Sequence, residues 1–326
     1  MSENPMANTA MKYSMLGNTG LKVSVLCMGC LVLGPAQYNL SGEQSRDLLE
    51  YAVSKGVNFF DTSELYGVYP HLRYLSGKSD IVISSRSYAV SKADAKASLE
   101  LARREMDRDK IEIFGLHEQE SGLTLRGHRG ALEYFAEARE KGLIDAVSVS
   151  THHVACVRAA ALLPEVDVIF AILNVDGIGI VDGSRQDMEQ ALAFAHYMGK
   201  GIYIMKALGG GHLFRRAYEA LCYVRDFPHK HSVCVGVKNK KELEFACRVL
   251  CGDLSPEEAA RLQPAVGATQ KRLVVEAWCQ GCGKCEEICG FGAICVVQGR
   301  AEVDQSRCML CGYCARVCPH FCLKVL

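Results

Sequence analysis

Two short stretches of this chain concentrate one kind of chemistry. Cys279, Cys282, Cys285 and Cys289 fall within "WCQGCGKCEEICG", and Cys308, Cys311, Cys314 and Cys318 within "CMLCGYCARVCP". A thiolate is a soft, strongly donating metal ligand, and a close series of them can hold a centre that one sulfur cannot. A pair of four-cysteine zinc sites is one reading, although zinc pairs usually come as two CxxC units separated by a loop. A second set of candidates lies far upstream. Asp61 closes the apolar run "NFFD" with Tyr66 one turn later, Arg86 closes "IVISSR", and His117 closes "IEIFGLH". An acid, a phenol, a cation and an imidazole brought together could orient a polar oxygen and hand it a proton. Taken singly, each has an ordinary reading as a cap or a packed side chain.

The elements that must position these groups are legible as a rhythm. From Lys12 to about Gly252 short apolar runs alternate with amphipathic stretches, which predicts βα units and a parallel sheet. After a hairpin turned at "GNTG", eight strands can be counted: "VSVLCM", "VNFFD", "DIVISS", "IEIFGLH", "IDAVSVS", "VDVIFAI", "GIYIMK" and "HSVCVGV". Helices such as "SGEQSRDLLEYAVSKG" and "SKADAKASLELARREM" open on a small polar residue, as a capped helix should. This is the size and rhythm of an α/β fold of the (β/α)8 TIM barrel kind, whose strand ends point polar residues toward one face. An open doubly wound sheet is the competitor, but no Gly-rich fingerprint follows the first strand. Residues 1–10 read as a polar, disordered tail, 11–252 as the barrel, 253–270 as a helical linker and 271–326 as a small cysteine domain.

Composition narrows the partners. Lys plus Arg and Asp plus Glu both number 37, so no net field draws the chain to nucleic acid. No apolar run approaches the length of a membrane span and no leader is apparent, so the protein is expected to be cytoplasmic, where thiols stay reduced. Its 17 cysteines then favour metal binding over disulfides. Cys27 and Cys30 form a further CxxC pair, read here as small buried hydrophobes rather than a redox dithiol.

The two runs, with spacings C-x2-C-x2-C-x3-C and a Pro after Cys318, resemble bacterial two-cluster ferredoxins over the last fifty or so residues. The resemblance implies two [4Fe-4S] clusters in a ferredoxin-like α+β domain. By its crossover pattern, Cys279, Cys282, Cys285 and Cys318 would hold one cluster, and Cys308, Cys311, Cys314 and Cys289 the other. Gly290 departs from the pattern, which has Pro there.

Residues 11 to about 250 resemble the aldo-keto reductase family, in "FDTSELYG", the strand-end His117, "STHH", "IMKALGGGHL" and "VGVKNKKELE". The resemblance implies hydride transfer between a nicotinamide and a carbonyl, with Asp61, Tyr66 and His117 in the catalytic set. Arg86 stands where the family has Lys. Arginine can still lower the phenol pKa as a nearby cation, but holds its proton permanently. Ser150, Asn174, Lys206, Gly209, Gly210, Gly211, Gly236, Lys238 and Asn239 would bind the cofactor, read as NADP(H) from the basic loop after the last strand. Phe170 takes the place of a Gln that in many members hydrogen-bonds the nicotinamide amide. Arg126 and His152 are candidates for binding an acidic substrate.

Hydride transfer moves two electrons at once, whereas clusters move one. Three readings reconcile the halves. The clusters could link the barrel to a redox protein partner, with a flavin or a substrate radical as the switch; they could be structural or oxygen-sensing beside an NADPH-dependent reductase; or the barrel could be non-catalytic and the chain a ferredoxin-like carrier. The first is preferred, with a small carbonyl or alcohol substrate.

Overall fold

The structure, a computed structural model, describes residues 10–35, 37–262, 272–311, 313–320 and 322–325. Nearly all of the expected N-terminal tail lies outside these residues, as does the second half of the expected linker. The helix expected within that linker spans Pro256–Leu262, opened by a reciprocal bond pair between Ser255 and Glu258.

The hairpin turned at "GNTG" consists of β1 (Tyr13–Met15) antiparallel to β2 (Lys22–Ser24). Eight strands then follow in parallel: β3 (Leu26–Gly29), β4 (Phe59–Asp61), β5 (Val82–Ser87), β6 (Ile113–Leu116), β7 (Ala146–Thr151), β8 (Val168–Ile172), β9 (Gly201–Met205) and β10 (Ser232–Gly236). They close in sequence order, with β10 pairing back onto β3, so this is the expected (β/α)8 barrel. Every residue of β3 to β9 is buried, because helices cover one face and the packed interior the other. That is why these segments read as apolar or small runs rather than as alternating ones. The helices at Gly42–Ser54 and Lys92–Met106 start at capping boxes, Ser41 with Gln44 and Ser91 with Asp94, which satisfy otherwise orphaned backbone groups.

The hairpin closes the amino end of the barrel. Leu16 is fully buried, and a Cβ on Gly201 would come within 2.7 Å of its side chain, so β9 can begin there only as glycine. Gly115 is a second such place, since a Cβ would meet the Ser148 carbonyl oxygen of β7 at 1.7 Å.

The cysteine region forms two small antiparallel sheets: β11 (Leu273–Val275) with β14 (Leu323–Val325), and β12 (Ile294–Val297) with β13 (Arg300–Val303). Its internal repeat is visible in the backbone. Short helices at Lys284–Glu287 and Tyr313–Val317 each carry the third cysteine of their run at the second position, Cys285 and Cys314. The region sits on the carboxyl end of the barrel. Met309 is buried in the barrel's own core, with Phe291 and Tyr313 packed against it. Gln37 Nε2 donates to the Leu310 carbonyl at 3.5 Å, and His212 Nε2 bonds the Cys308 carbonyl at 2.5 Å. Among the described residues no helix is long and apolar enough to cross a membrane.

Candidate active site

Asp61 ends β4 opposite Ser84 of β5, and Arg86, two residues further along β5 and on the same face, reaches back to it with its long side chain. Arg86 NH1 and NH2 reach the two Asp61 oxygens at 2.5 and 3.0 Å, a bidentate fork that lysine could not make. The same NH2 donates to the Tyr66 hydroxyl at 2.9 Å. Asp61 also accepts from Tyr203 of β9 at 2.9 Å, and Tyr203 bonds Ser84 at 2.8 Å. Burial opposes the charge on Arg86, but Asp61, Tyr66 and Tyr203 outweigh it and lift its pKa well above the usual value. Tyr66 is pushed up by its burial, with Arg86 pulling the other way and Asp61 offsetting that pull. The phenol therefore keeps its proton at neutral pH and has it available to donate.

His117, just past β6, is buried, and its pKa is lowered first by burial and then by Arg86. Its ring lies flat on Tyr88 at 4.8 Å and meets Tyr66 edge-on at 5.9 Å. Nδ1 is 2.7 Å from the Ser63 hydroxyl and Nε2 is 2.8 Å from the Tyr313 hydroxyl. Ser63 has one proton, and its oxygen also lies 3.2 Å from the Arg86 carbonyl. Every member is satisfied when Ser63 donates to that carbonyl, Nδ1–H donates to Ser63, and Tyr313 donates to Nε2. In that tautomer Nε2 is an acceptor.

The candidate tetrad thus converges, and three partners that the sequence does not single out complete it: Ser63, Tyr203 and Tyr313. Tyr313 carried a signal, since it stands between Cys311 and Cys314. Phe170 stacks on Tyr203 at 4.0 Å and lies under the Arg86 guanidinium at 4.6 Å, so it belongs to the barrel core. His152 is buried with Nδ1 2.7 Å from Glu118, whose pKa it holds down at about 2 although burial opposes this. Its Nε2 has no partner. Arg126 is exposed on the helix Gly122–Gly127 and does not join these residues. The polar cluster at Asp182–Arg185 is spent on caps: Asp182 accepts from the Val154 and Ala155 amides, and Ser184 opens the helix Arg185–Tyr197.

Of the residues assigned to a nucleotide, Ser150, Asn174 and Asn239 are engaged within the chain. Ser150 Oγ accepts from the Glu118 amide, and Asn174 closes on its own loop through both Ile178 backbone groups. Lys206 has a left-handed backbone, φ 58°. Asn239 caps the helix Lys240–Cys251.

The eight module cysteines fall into two groups. One cavity is lined by Cys279, Cys282, Cys285 and Cys318; another, of about 340 Å³, by Cys289, Cys308, Cys311 and Cys314. Each group therefore takes its fourth thiol from the other run. The donor set is wholly thiol, and backbone amides of Ala301 and Ala293 reach the Cys279 and Cys289 sulfurs at 3.4 and 3.3 Å. The Ala301 amide is the first cause of the lowered Cys279 pKa. Among the described residues no three Cys, His, Asp or Glu side chains lie close enough to hold a single ion. A wholly thiol set in two C-x2-C-x2-C-x3-C runs that exchange their fourth members suits iron–sulfur binding. Cys322 adds a ninth thiol 3.2 Å from Cys318, at the repeat position where the first half has Ala293. The second cavity also reaches the barrel, being lined by Tyr88, Glu118, His152 and Tyr313.

Comparison with known proteins agrees with both halves. Residues 25–232 match the model of the aldo/keto reductase family, and residues 301–324 that of the 4Fe-4S binding domain. A solved aldo-keto reductase from Pseudomonas aeruginosa aligns at TM-score 0.63 and 25% identity, covering 76% of this chain and 97% of that one. One from Bacillus halodurans has the same fold at TM-score 0.63 and 18% identity, over 79% of this chain and 97% of its own. A component of the ion-translocating oxidoreductase complex of Methanosarcina acetivorans is 48% identical over 48 residues, 15% of this chain and 18% of that protein. Versiconal hemiacetal acetate reductase of Aspergillus parasiticus is 39% identical over 59 residues, 17% of each chain. The chain thus spans less than a fifth of either curated relative. With a closed eight-stranded barrel, a buried acid–cation–phenol set at its strand ends and a family match over more than half its length, the chain belongs to the aldo/keto reductase family, with a 4Fe-4S binding domain attached.

Proposed function

We propose that the barrel interconverts a small carbonyl compound and its alcohol, with the electrons passing through the cysteine module. The observation that carries this is Tyr313. It is flanked by Cys311 and Cys314, and its hydroxyl is 2.8 Å from His117 Nε2, so one side chain belongs to both the metal-binding wall and the barrel site. Clusters held by the two cysteine groups would supply electrons singly, two of them matching one carbonyl. Reducing that carbonyl also takes two protons, one from Tyr66 and one from water entering the cavity lined by Tyr88, Glu118 and His152. Tyr66, neutral and braced by Arg86, is the donor nearest the buried charge pair; Asp61 fixes the cation that aims it, and His117, accepting at Nε2, holds the Tyr313 hydroxyl in place beside it.

The group holding Cys279 and Cys282 is the outer one. Cys282 is exposed, and Trp278, next to Cys279 in the chain, exposes apolar surface as well, which suits docking of a redox protein partner. The iron content of anaerobically purified protein should be about eight per chain. Cys311→Ser should roughly halve it, and iron near zero with zinc in its place would overturn the proposal.

The test is direct. Protein reduced with dithionite, freed of excess reductant and mixed with a panel of small aldehydes should regain its visible absorption, with one alcohol formed per two electrons lost. Reoxidation no faster than in buffer across the panel would sink the reading. Tyr313→Phe should keep the absorption spectrum and iron content yet slow reoxidation by about tenfold or more, since it removes the bond that holds His117 Nε2.

A further inference from the structure

We infer that this barrel takes no nicotinamide dinucleotide, because the chain's own segment Cys308–Leu310 and the Glu242 carboxylate fill the places such a cofactor would need. Three independent contacts point this way, one for each part of the ligand. They concern only what occupies the site, so the inference stands or falls separately from the route of the electrons.

The first is the glycine loop. Gly209, Gly210 and Gly211 all have positive φ, a geometry that lets a bound pyrophosphate approach backbone closely. Here the approach is already taken. A Cβ placed on Gly210 would lie 2.6 Å from the Met309 carbonyl oxygen and one on Gly211 3.8 Å from the Leu310 side chain. Met309 also abuts Gly179 of the loop after β8, where a Cβ would meet its terminal methyl at 2.8 Å. The segment is pinned at both sides, through His212 on the Cys308 carbonyl and Tyr313 on His117.

The second is the anion site at the start of the helix Lys240–Cys251. A helix amino end beside lysines would suit a phosphate. Glu242 stands there instead. Its carboxylate accepts from the Lys238 amide at 2.9 Å and lies 3.5 Å from the Lys238 ammonium, while Lys240 pairs with Asp47 at 2.7 Å. A phosphate entering would meet a like charge already holding the donors.

The third is the amide end. Phe170 offers no hydrogen bond and is locked between Tyr203 and Arg86, and Asn174 spends its side chain on Ile178. Neither residue is left to read a carboxamide. The pocket left between the glycine loop and that helix, about 130 Å³, is below the roughly 300 Å³ at which small-molecule pockets begin.

Two measurements on the intact, cluster-loaded chain decide it. Calorimetric titration with NADPH and with NADH should show no saturable binding up to about 1 mM; a dissociation constant below about 100 μM for either would overturn the inference. A microsecond hydroxyl-radical pulse, read by mass spectrometry, should oxidise Met309, 2% exposed, at least tenfold more slowly than Met15, 50% exposed, in the same sample. Comparable oxidation of the two would show the segment unseated and would equally overturn it. Failure of aldehydes to reoxidise the protein, with both results as expected, would remove the electron route and leave this inference intact.

Discussion

Asp61→Asn is expected to destabilise the barrel strongly, lowering its unfolding free energy by about 3–5 kcal/mol. The reason is geometric. Both partners of the Asp61–Arg86 pair are 3% exposed, and the guanidinium has no other carboxylate among its contacts. Asparagine would leave a permanent cation buried with neutral acceptors only, while Tyr203 would lose its charged partner. Removing both charges should be far milder. Asp61→Asn combined with Arg86→Met should recover most of the loss, because a well-packed apolar pair is often as stable as a buried ion pair. The midpoint of urea unfolding, followed by barrel circular dichroism, would measure both. A single-variant loss below about 1 kcal/mol would mean that water reaches this layer and that the site is not the dry one described.

Tyr66→Phe should lower the rate of carbonyl reduction by about 10²–10⁴-fold, the usual worth of a positioned proton donor. Its structural effect should be small, since only the 2.9 Å bond from Arg86 is lost and the ring remains. Visible absorption and iron content should be unchanged. The separation matters: a variant with normal clusters and normal turnover would take the proton from elsewhere, and Tyr66 would leave the mechanism.

Much of this was legible in the chain, for physical reasons. The parallel strands announce themselves because residues buried on both faces must be apolar or small. Asp61, Arg86 and His117 were findable because barrel strands deliver polar side chains to one end. The cysteine groups follow from the spacing and the ferredoxin resemblance it carries, including the exchange of Cys289 and Cys318. What could not be read depends on contacts between distant segments. Tyr203 reads as one more apolar residue in "GIYIM", and only barrel closure shows that its hydroxyl meets Asp61. Glu242 reads as an ordinary first-turn acid, although it fills the anion site expected beside Lys238. Arg126 reads as a candidate for binding an acidic substrate, but its helix turns it outward. Which face of the cysteine module meets the barrel was also hidden, because Met309 and Leu310 could equally have lined its own interior.

The pairing of β11 with β14 has a consequence for synthesis. The module's opening strand has no partner until residues 323–325 exist, and each cysteine group waits for a thiol from the later run. All barrel strands, by contrast, are complete by residue 236. Domains fold in order as they leave the ribosome. The barrel should therefore form first with its mouth open, and the iron-binding region should close over it last, so that metal loading and roofing of the pocket are one late event.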